Sequence, residues 1–278
     1  VWVHPYGGGF SRFDKAANCL RPFYNGFSDT DWRFSNKIHS AFSDRQGNLW
    51  MCTHSKGLEK ITFRSSFFSM MTPEPHRYES LSNEVRALCE DTEHNLWVGL
   101  KDGKIRIYDK NRTELGYFTE TGTISHAGIP LKGNTYCIFQ DSKHNIWIAT
   151  KGEGLVKARP QGGGHYKLTR YCHSRDDIYS LSDNNVYCVY EDVKGRIWVA
   201  TFGGGINYLT HNRGGREIFV NHRNNLKGFP IDNCHKVRFV TGDHRGNIWI
   251  ATTVGALMVN SDFKKPEDAV FHHYVRVQ

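Results

Sequence analysis

The chain has 278 residues, of which 38% are hydrophobic, and a formal net charge of +8 at pH 7. This length is ordinary for one large all-β domain, and the absence of an apolar run of about 18 residues excludes a membrane-spanning helix within the sequence. The basic residues are mostly single rather than clustered, which argues against nucleic-acid binding. The seven cysteines show no spacing typical of a zinc site, so we expect no metal and no cofactor.

Five copies of one repeat run through the chain. Each copy sets an Asp six residues before a Trp and an aliphatic residue eight after that Trp, and successive Trp residues lie 47 to 51 positions apart. This period belongs to the class of propeller-blade repeats, which run to about 40–50 residues. The five registers are Asp44–Trp50–Leu58, Asp91–Trp97–Ile105, Asp141–Trp147–Leu155, Asp192–Trp198–Ile206 and Asp243–Trp249–Leu257.

A sixth, truncated copy opens the chain with Trp2 and the glycines Gly7 to Gly9. With it, we divide a single domain over residues 1–278 into blade repeats at approximately 1–35, 36–82, 83–132, 133–183, 184–234 and 235–278. By strand count this makes about six blades with one inner strand missing. We therefore expect the segment to be part of a seven-bladed propeller within a longer chain.

Each repeat predicts four antiparallel strands. In the copy at 186–208, the alternation of Val186, Cys188 and Tyr190 indicates a first strand, 192–195 a tight turn and 197–201 a second strand. A glycine-containing segment then leads into a third strand. Aromatic stretches predict a fourth, outer strand at 67–68, 117–118, 166–171, 218–220 and 271–274. Four such strands make one blade, so the predicted fold class is an all-β propeller of four-stranded antiparallel blades.

The repeated Asp and Trp are expected to be structural. An Asp at the first turn position accepts a hydrogen bond from the backbone two residues on, and a glycine such as Gly195 supplies the positive φ that the turn needs. His94 and His144 replace that glycine in two copies, which predicts either strain or a different turn type. The Trp is expected to fill the gap between neighbouring blades, where burying one aromatic ring contributes a few kcal/mol.

Candidate ligand residues come from the starts of the innermost strands, which a propeller gathers around its central axis. Five residues before each turn Asp, the sequence reads His39, Arg86, Tyr136, Tyr187 and Arg238. This set suits an oligosaccharide with an acidic group, because guanidinium groups bind anions bidentately and aromatic faces stack on sugar rings. The alternative is that these side chains only plug the channel through mutual hydrogen bonds.

Two features lie outside the repeat pattern. Trp32 stands in a polar connector, where it either caps a loop or stacks on a sugar. The connector at 226–235 is longer than its counterparts and carries Gly228, Phe229 and Pro230. We expect this second connector to project toward a partner.

The string from Val186 to Tyr208, with the core Asp-x-x-Gly-x-Ile-Trp-Val-Ala-Thr-x-Gly-Gly-Gly-Ile, resembles the two-component regulator propeller repeat. Similar strings recur at 141–158 and 243–259. The resemblance implies that the chain is part of the periplasmic sensor region of a hybrid histidine kinase, which detects glycan breakdown products and controls polysaccharide utilisation. It also implies further blades, a β-sandwich domain, a membrane anchor and a homodimer in the intact protein.

Two other functions fit the same repeat. The Asp-x-x-Gly-x-x-Trp turn also resembles the Asp-box of sialidase-like propeller hydrolases, so a propeller glycoside hydrolase or lyase is one alternative. Such an enzyme needs a carboxylate or Tyr nucleophile with an acid partner, and Glu84 is the one acid in register with the candidate ring. We therefore predict no catalytic residue in this segment. The other alternative is a purely structural propeller for protein interaction or dimerisation.

Overall fold

The computed structural model describes residues 2–3, 10–23, 38–54, 57–62, 71–73 and 81–275. Within these ranges every strand pairing is antiparallel, and the single α-helix is the one-turn helix α1 (Ile231–Cys234). None of the helices in this part of the chain is long and apolar enough to cross a membrane. The predicted fold class, an all-β chain of antiparallel blades, is confirmed.

The chain divides into two compact units, Val1–Asn83 and Glu84–Gln278. The described part of the first unit forms two three-stranded sheets, β1 (Trp2–Val3), β2 (Phe10–Asp14) and β3 (Cys19–Phe23), then β4 (Ile38–Ser43), β5 (Asn48–Thr53) and β6 (Leu58–Thr62). Leu49 and Met51 are the buried apolar side chains of β5. Gly7 to Gly9, Trp32 and the predicted outer strand at 67–68 lie outside the described residues. The single domain over 1–278 stays a prediction.

The second unit contains four sheets in chain order, which we name sheets A to D. Sheet A is β7 (Val85–Glu90), β8 (Leu96–Leu100), β9 (Ile105–Tyr108), β10 (Glu114–Phe118) and β11 (Ile124–Ser125). Sheet B is β12 (Asn134–Gln140), β13 (Ile146–Lys151), β14 (Leu155–Gly162) and β15 (His165–Tyr171). Sheet C is β16 (Val186–Glu191), β17 (Ile197–Thr201), β18 (Gly205–His211) and β19 (Glu217–Val220). Sheet D is β20 (Val237–Gly242), β21 (Asn247–Thr252), β22 (Gly255–Asn260) and β23 (His272–Tyr274).

Sheets A to D stack face to face through their apolar side chains. Each first strand neighbours the first strand of the next sheet, and one buried core lies at each of the three junctions. Trp97, Trp147 and Trp198 are buried in the cores that join their own sheet to the following one. Trp97, for example, meets Tyr166 of sheet B edge-on at a centroid distance of 5.6 Å. In these three repeats the Trp fills the gap between blades, as predicted.

The repeated Asp anchors both the turn and the Trp. In sheet C, Asp192 Oδ1 accepts the backbone N–H groups of Lys194 and Arg196 at 2.9 and 3.0 Å, and Oδ2 accepts the indole N–H of Trp198 at 2.8 Å. All five repeats make the same bonds, with indole distances of 2.8 to 3.0 Å. The backbone bond was predicted, whereas the indole bond was not. We call this Asp–Trp unit the corner.

The turns that carry His in place of glycine keep the same backbone. His94 and His144 both have φ of 63°, close to the 73° of Gly195. A non-glycine residue in this left-handed region is strained relative to glycine. Of the two predicted outcomes, strain is therefore the one observed, and the turn type does not change.

The apolar residues of the connector at 226–235 do not project, which corrects the prediction for this part of the loop. Leu226 and Phe229 are buried in the core between sheets C and D. Gly205, with φ of +75°, lies so close to this loop that a Cβ there would stand 2.5 Å from the Phe229 ring. Phe229 thus fills the junction between two sheets, and a partner contact through the exposed residues of the loop stays a prediction.

Candidate ligand-binding site

The five predicted ligand residues all occupy the same structural position. In each repeat the pairing between the first and second strands shifts register by one residue, and the unpaired residue is His39, Arg86, Tyr136, Tyr187 or Arg238. A β-bulge of this kind re-aims the side chain of the extra residue and is frequent beside binding sites. The position five residues before the turn Asp is therefore a distinct site on the blade, set apart from the regular alternation of the strand.

Four side chains of the second unit that were predicted together do lie together. The Arg86 guanidinium lies 5.0 Å from the Tyr136 ring centre, and its Nη1 donates a hydrogen bond to Tyr136 Oη at 2.6 Å. The rings of Tyr136 and Tyr187 are 4.4 Å apart. Tyr187 stacks on Phe202 at 5.0 Å, and the Arg238 guanidinium lies 4.9 Å from the Phe202 ring centre. We call this row of five residues the ladder.

His39 belongs to the first unit, where its ring stacks on His54 at a centroid distance of 3.7 Å. Its membership of a common ring with the other four residues stays a prediction. Phe202, in contrast, is a ladder residue that sequence reasoning missed. It follows the second strand of sheet C by one residue, and the equivalent positions in sheets A and B hold Lys101 and Lys151, so no shared residue type marked it.

At one end of the ladder a carboxylate is paired with two cations. Glu84 accepts hydrogen bonds from Lys101 at 2.6 Å and from Arg86 at 3.1 Å. The Lys101 bond lowers the pKa of Glu84 against the opposing effect of desolvation, and the Arg86 bond adds to the lowering. Burial raises the pKa of Tyr187, and neighbouring Tyr136 adds to that rise, so the Tyr187 phenol stays protonated at neutral pH and can donate.

The other end of the ladder carries two cations. Arg238 is exposed, and the Lys236 ammonium lies 5.7 Å from the Phe202 ring centre. Within residues 81–275 no acidic side chain forms an ion pair with either cation. An isolated β-bridge between Phe202 and Lys236 joins sheets C and D at this point. Backbone pairing therefore places Lys236, and the β-bulge of sheet D places Arg238.

Backbone contacts connect the ladder to a wider surface that we call the rim. In sheets A to D it comprises the residues that lie seven and five positions before each turn Asp and ten positions after it. Backbone hydrogen bonds and β-bridges join members of this set within and between sheets. In order these are Glu84, Arg86, Lys101, Asn134, Tyr136, Lys151, Asn185, Tyr187, Phe202, Lys236, Arg238 and Thr253. Cations outnumber carboxylates five to one in this set. Beside this set, Asp183 accepts hydrogen bonds from the backbone and side chain of Asn185 and adds a second carboxylate.

The arrangement of sheets and corners defines a β-propeller fold, and comparison with known proteins identifies the repeat. Residues 33–55, 80–102, 130–152 and 180–203 match the two-component regulator propeller family. These four segments are therefore two-component regulator propeller repeats, as the sequence predicted. The corner of sheet D, around Trp249, lies beyond these four matched segments.

Proteins similar to this chain include much longer ones. Histidine kinase P4 of Formosa agariphila is 22% identical over 195 residues, which cover 70% of this chain and 13% of the kinase. The extracellular domain of a hybrid two-component system from B. thetaiotaomicron superposes with a TM-score of 0.52 at 20% identity, covering 99% of this chain and 39% of that domain. The chain thus spans well under half the length of either protein.

The same fold also occurs in an enzyme. A streptogramin B lyase superposes with a TM-score of 0.50 at 13% identity, covering 98% of this chain and 77% of the lyase. At such identities the likeness shows the fold alone, since unrelated functions share propellers. The function of this chain has to be argued from the ladder and the rim.

Proposed function

We propose that this chain is the extracytoplasmic ligand-binding propeller of a hybrid two-component regulator. In this role it binds a glycan breakdown product and signals to a cytoplasmic histidine kinase that controls polysaccharide utilisation. The repeat family and the extracellular domains that share the fold support this proposal. The intact protein would add further blades, a β-sandwich domain and a membrane anchor, would lie in the periplasm and would act as a homodimer.

The observation that carries the proposal is the ladder. Its rings face one another at 4.4 and 5.0 Å, so their faces are occupied and their edges and hydroxyl groups are what a ligand meets. Recognition would then rest on hydrogen bonds and charge rather than on ring stacking. Phenol and guanidinium groups supply donors and an acceptor that suit the hydroxyl and acidic groups of a sugar. This refines the stacking interaction expected from the sequence.

The experiment is a titration of the protein with an oligosaccharide library, followed by calorimetry on each binder. Tyr136→Phe with Tyr187→Phe keeps both rings and removes both hydroxyls. We expect affinity to fall by about tenfold or more, because each hydrogen bond lost contributes on the order of 1 kcal/mol. The matched control is Tyr179→Phe, since Tyr179 is an exposed tyrosine away from the ladder.

Three results would contradict the proposal. Unchanged affinity in the double variant would remove the ladder as the site. Absence of any binder would favour the structural, dimerising role. Release of shortened products during incubation would favour the hydrolase or lyase, and is checked by chromatography of each mixture.

A further inference from the structure

The two ends of the ladder differ in charge compensation, although both carry an arginine. We infer that Lys236 and Arg238 form a subsite for a carboxylate or sulfate group, and that Glu84 closes the Arg86 end to anions. This inference rests on the proposed function, because it names the class of glycan that the same site would select. It assigns unequal roles to two arginines that occupy equivalent repeat positions.

At the Arg86 end a carboxylate engages both cations and offsets part of their charge. Glu84 pairs with both Arg86 and Lys101, and Arg86 also donates to the Tyr136 hydroxyl. An incoming anion would meet the Glu84 carboxylate, which is half exposed on this surface, and like charges at short range repel. This end therefore favours the hydroxyl groups of a ligand, because they can donate hydrogen bonds to the Glu84 carboxylate.

At the Arg238 end the charges are open. The Arg238 guanidinium lies over the Phe202 ring, a contact that positions the cation without using its N–H groups. Those N–H groups form the planar fork that binds carboxylate and sulfate oxygens bidentately. Lys236, whose ammonium approaches the same ring, adds a second charge. The pair of cations provides the elements of an anion subsite: directed donors, excess positive charge and a rigid support.

The expected ligand follows from the order of groups along the ladder. An oligosaccharide would place an acidic substituent at Lys236 and Arg238 and neutral hydroxyl groups along Tyr187, Tyr136 and Glu84. Uronic acids and sulfate esters share the required anionic chemistry. A neutral sugar would lack the partner for the two cations and would bind more weakly.

The test is a glycan array that contains uronate and sulfated oligosaccharides beside their methyl-esterified and desulfated counterparts. We expect the protein to bind an acidic member at least about tenfold more tightly than its neutral counterpart, since one charge-assisted hydrogen bond contributes this much. Retention of uronates but not sulfates, or the reverse, identifies which anion the subsite takes.

Variants separate the two ends. Arg238→Gln, or Lys236→Gln, should lower the ratio of acidic to neutral binding toward one. Arg86→Gln should weaken binding of the acidic glycan and of its neutral counterpart by the same factor, so the ratio of acidic to neutral binding should not change. Glu84→Gln should raise affinity for acidic members. Arg245→Gln is the control, because Arg245 is exposed beyond the far end of β20.

The outcomes distinguish this inference from the proposed function. Tight binding of neutral glycans alone would overturn the anion subsite and leave the sensor role standing. An equal fall of the ratio in Arg86→Gln and Arg238→Gln would overturn the assignment of the two ends. Failure to bind any glycan would overturn both.

Discussion

The corner and the rim lie at opposite ends of the same inner strands, yet they differ in how they use the repeat. All five corners have the same Asp, the same Trp and the same hydrogen bonds within 0.2 Å. The rim keeps its backbone pattern, but no two of sheets A to D carry the same three rim side chains. The Asp–Trp contact recurs in every repeat and therefore stabilises the fold. The rim side chains vary on a constant backbone, so they can be specialised for binding a ligand.

Physical reasons support this division. Trp97, Trp147 and Trp198 are buried between sheets, and the indole N–H of each would lose a partner if its Asp were absent, which costs about 1–3 kcal/mol. The rim side chains, four of which stand at bulges, are half-buried or exposed, so replacing one leaves the cores intact. The corner residues should therefore control stability, and the rim residues should control ligand binding.

The largest expected effect is at a buried corner. Trp147→Ala should lower the free energy of unfolding by about 3–5 kcal/mol, because it opens a large cavity between sheets B and C. Trp249→Ala should cost clearly less, since Trp249 is only partly buried on sheet D. Urea denaturation measures both. A loss below about 1 kcal/mol for Trp147→Ala would contradict its role between blades.

A smaller effect is expected for the corner carboxylate. Asp141 accepts the Trp147 indole N–H at 2.8 Å and the Asn145 amide at 2.9 Å with one oxygen. Asp141→Asn places an amide N–H₂ group against the N–H donors that the carboxylate now binds, and it should lower the free energy of unfolding by about 2 kcal/mol. Asp109→Asn is the control, because Asp109 makes the same two backbone bonds but has no Trp partner. Equal losses in the two variants would show that the indole bond does not matter.

The corners also predict a pH dependence. Hydrogen bonds from Asn48 and then Trp50 hold the pKa of Asp44 well below its ordinary value of 3.8, and Asn247 and Trp249 do the same for Asp243. A lowered carboxyl pKa contributes stability that is present above the ordinary value and lost as pH falls toward the folded-state value. The melting temperature should therefore drop below about pH 4. Asp44→Asn with Asp243→Asn should flatten that drop, and an unaltered profile would speak against it.

The smallest effect on stability is expected at the rim. Arg86→Ala with Arg238→Ala should abolish glycan binding but change the free energy of unfolding by less than about 1 kcal/mol, since both act through partly exposed charge and ring contacts. Calorimetry and thermal melts give the two readouts. A large fall in melting temperature would mean that the ladder holds the fold, which is the plug alternative.

The sequence predicts the parts of the molecule that repeat. The spacing of Asp192, Trp198 and Ile206 and its four counterparts was enough for blades, turns and buried Trp residues. The position of Arg86 and Tyr187 was also recognisable, because a fixed distance from the corner marks it in every repeat. The hydrogen bond from the Trp indole to the Asp was not recognisable from the sequence, since the direction of the Trp side chain depends on how the hairpin twists.

Features that occur once were harder to predict. Phe202 differs from its lysine counterparts, so no pattern indicated that it stacks on Tyr187. The loop with Phe229 is longer than its counterparts, but its apolar residues fill a space beside Gly205 that exists only once two sheets are packed. The pairing of Glu84 with Arg86 depends on bulge geometry, which a list of residues does not contain.

Hydrogen–deuterium exchange of the protein, with and without the tightest glycan from the array, tests most directly whether the rim binds ligand. We expect slower exchange at 84–86, 134–136, 185–187 and 236–238 and no change at the corner turns, such as 192–195. Protection confined to the turns or to the outer strands, with the rim unaffected, would contradict the claim that the rim binds ligand and the corners hold the fold.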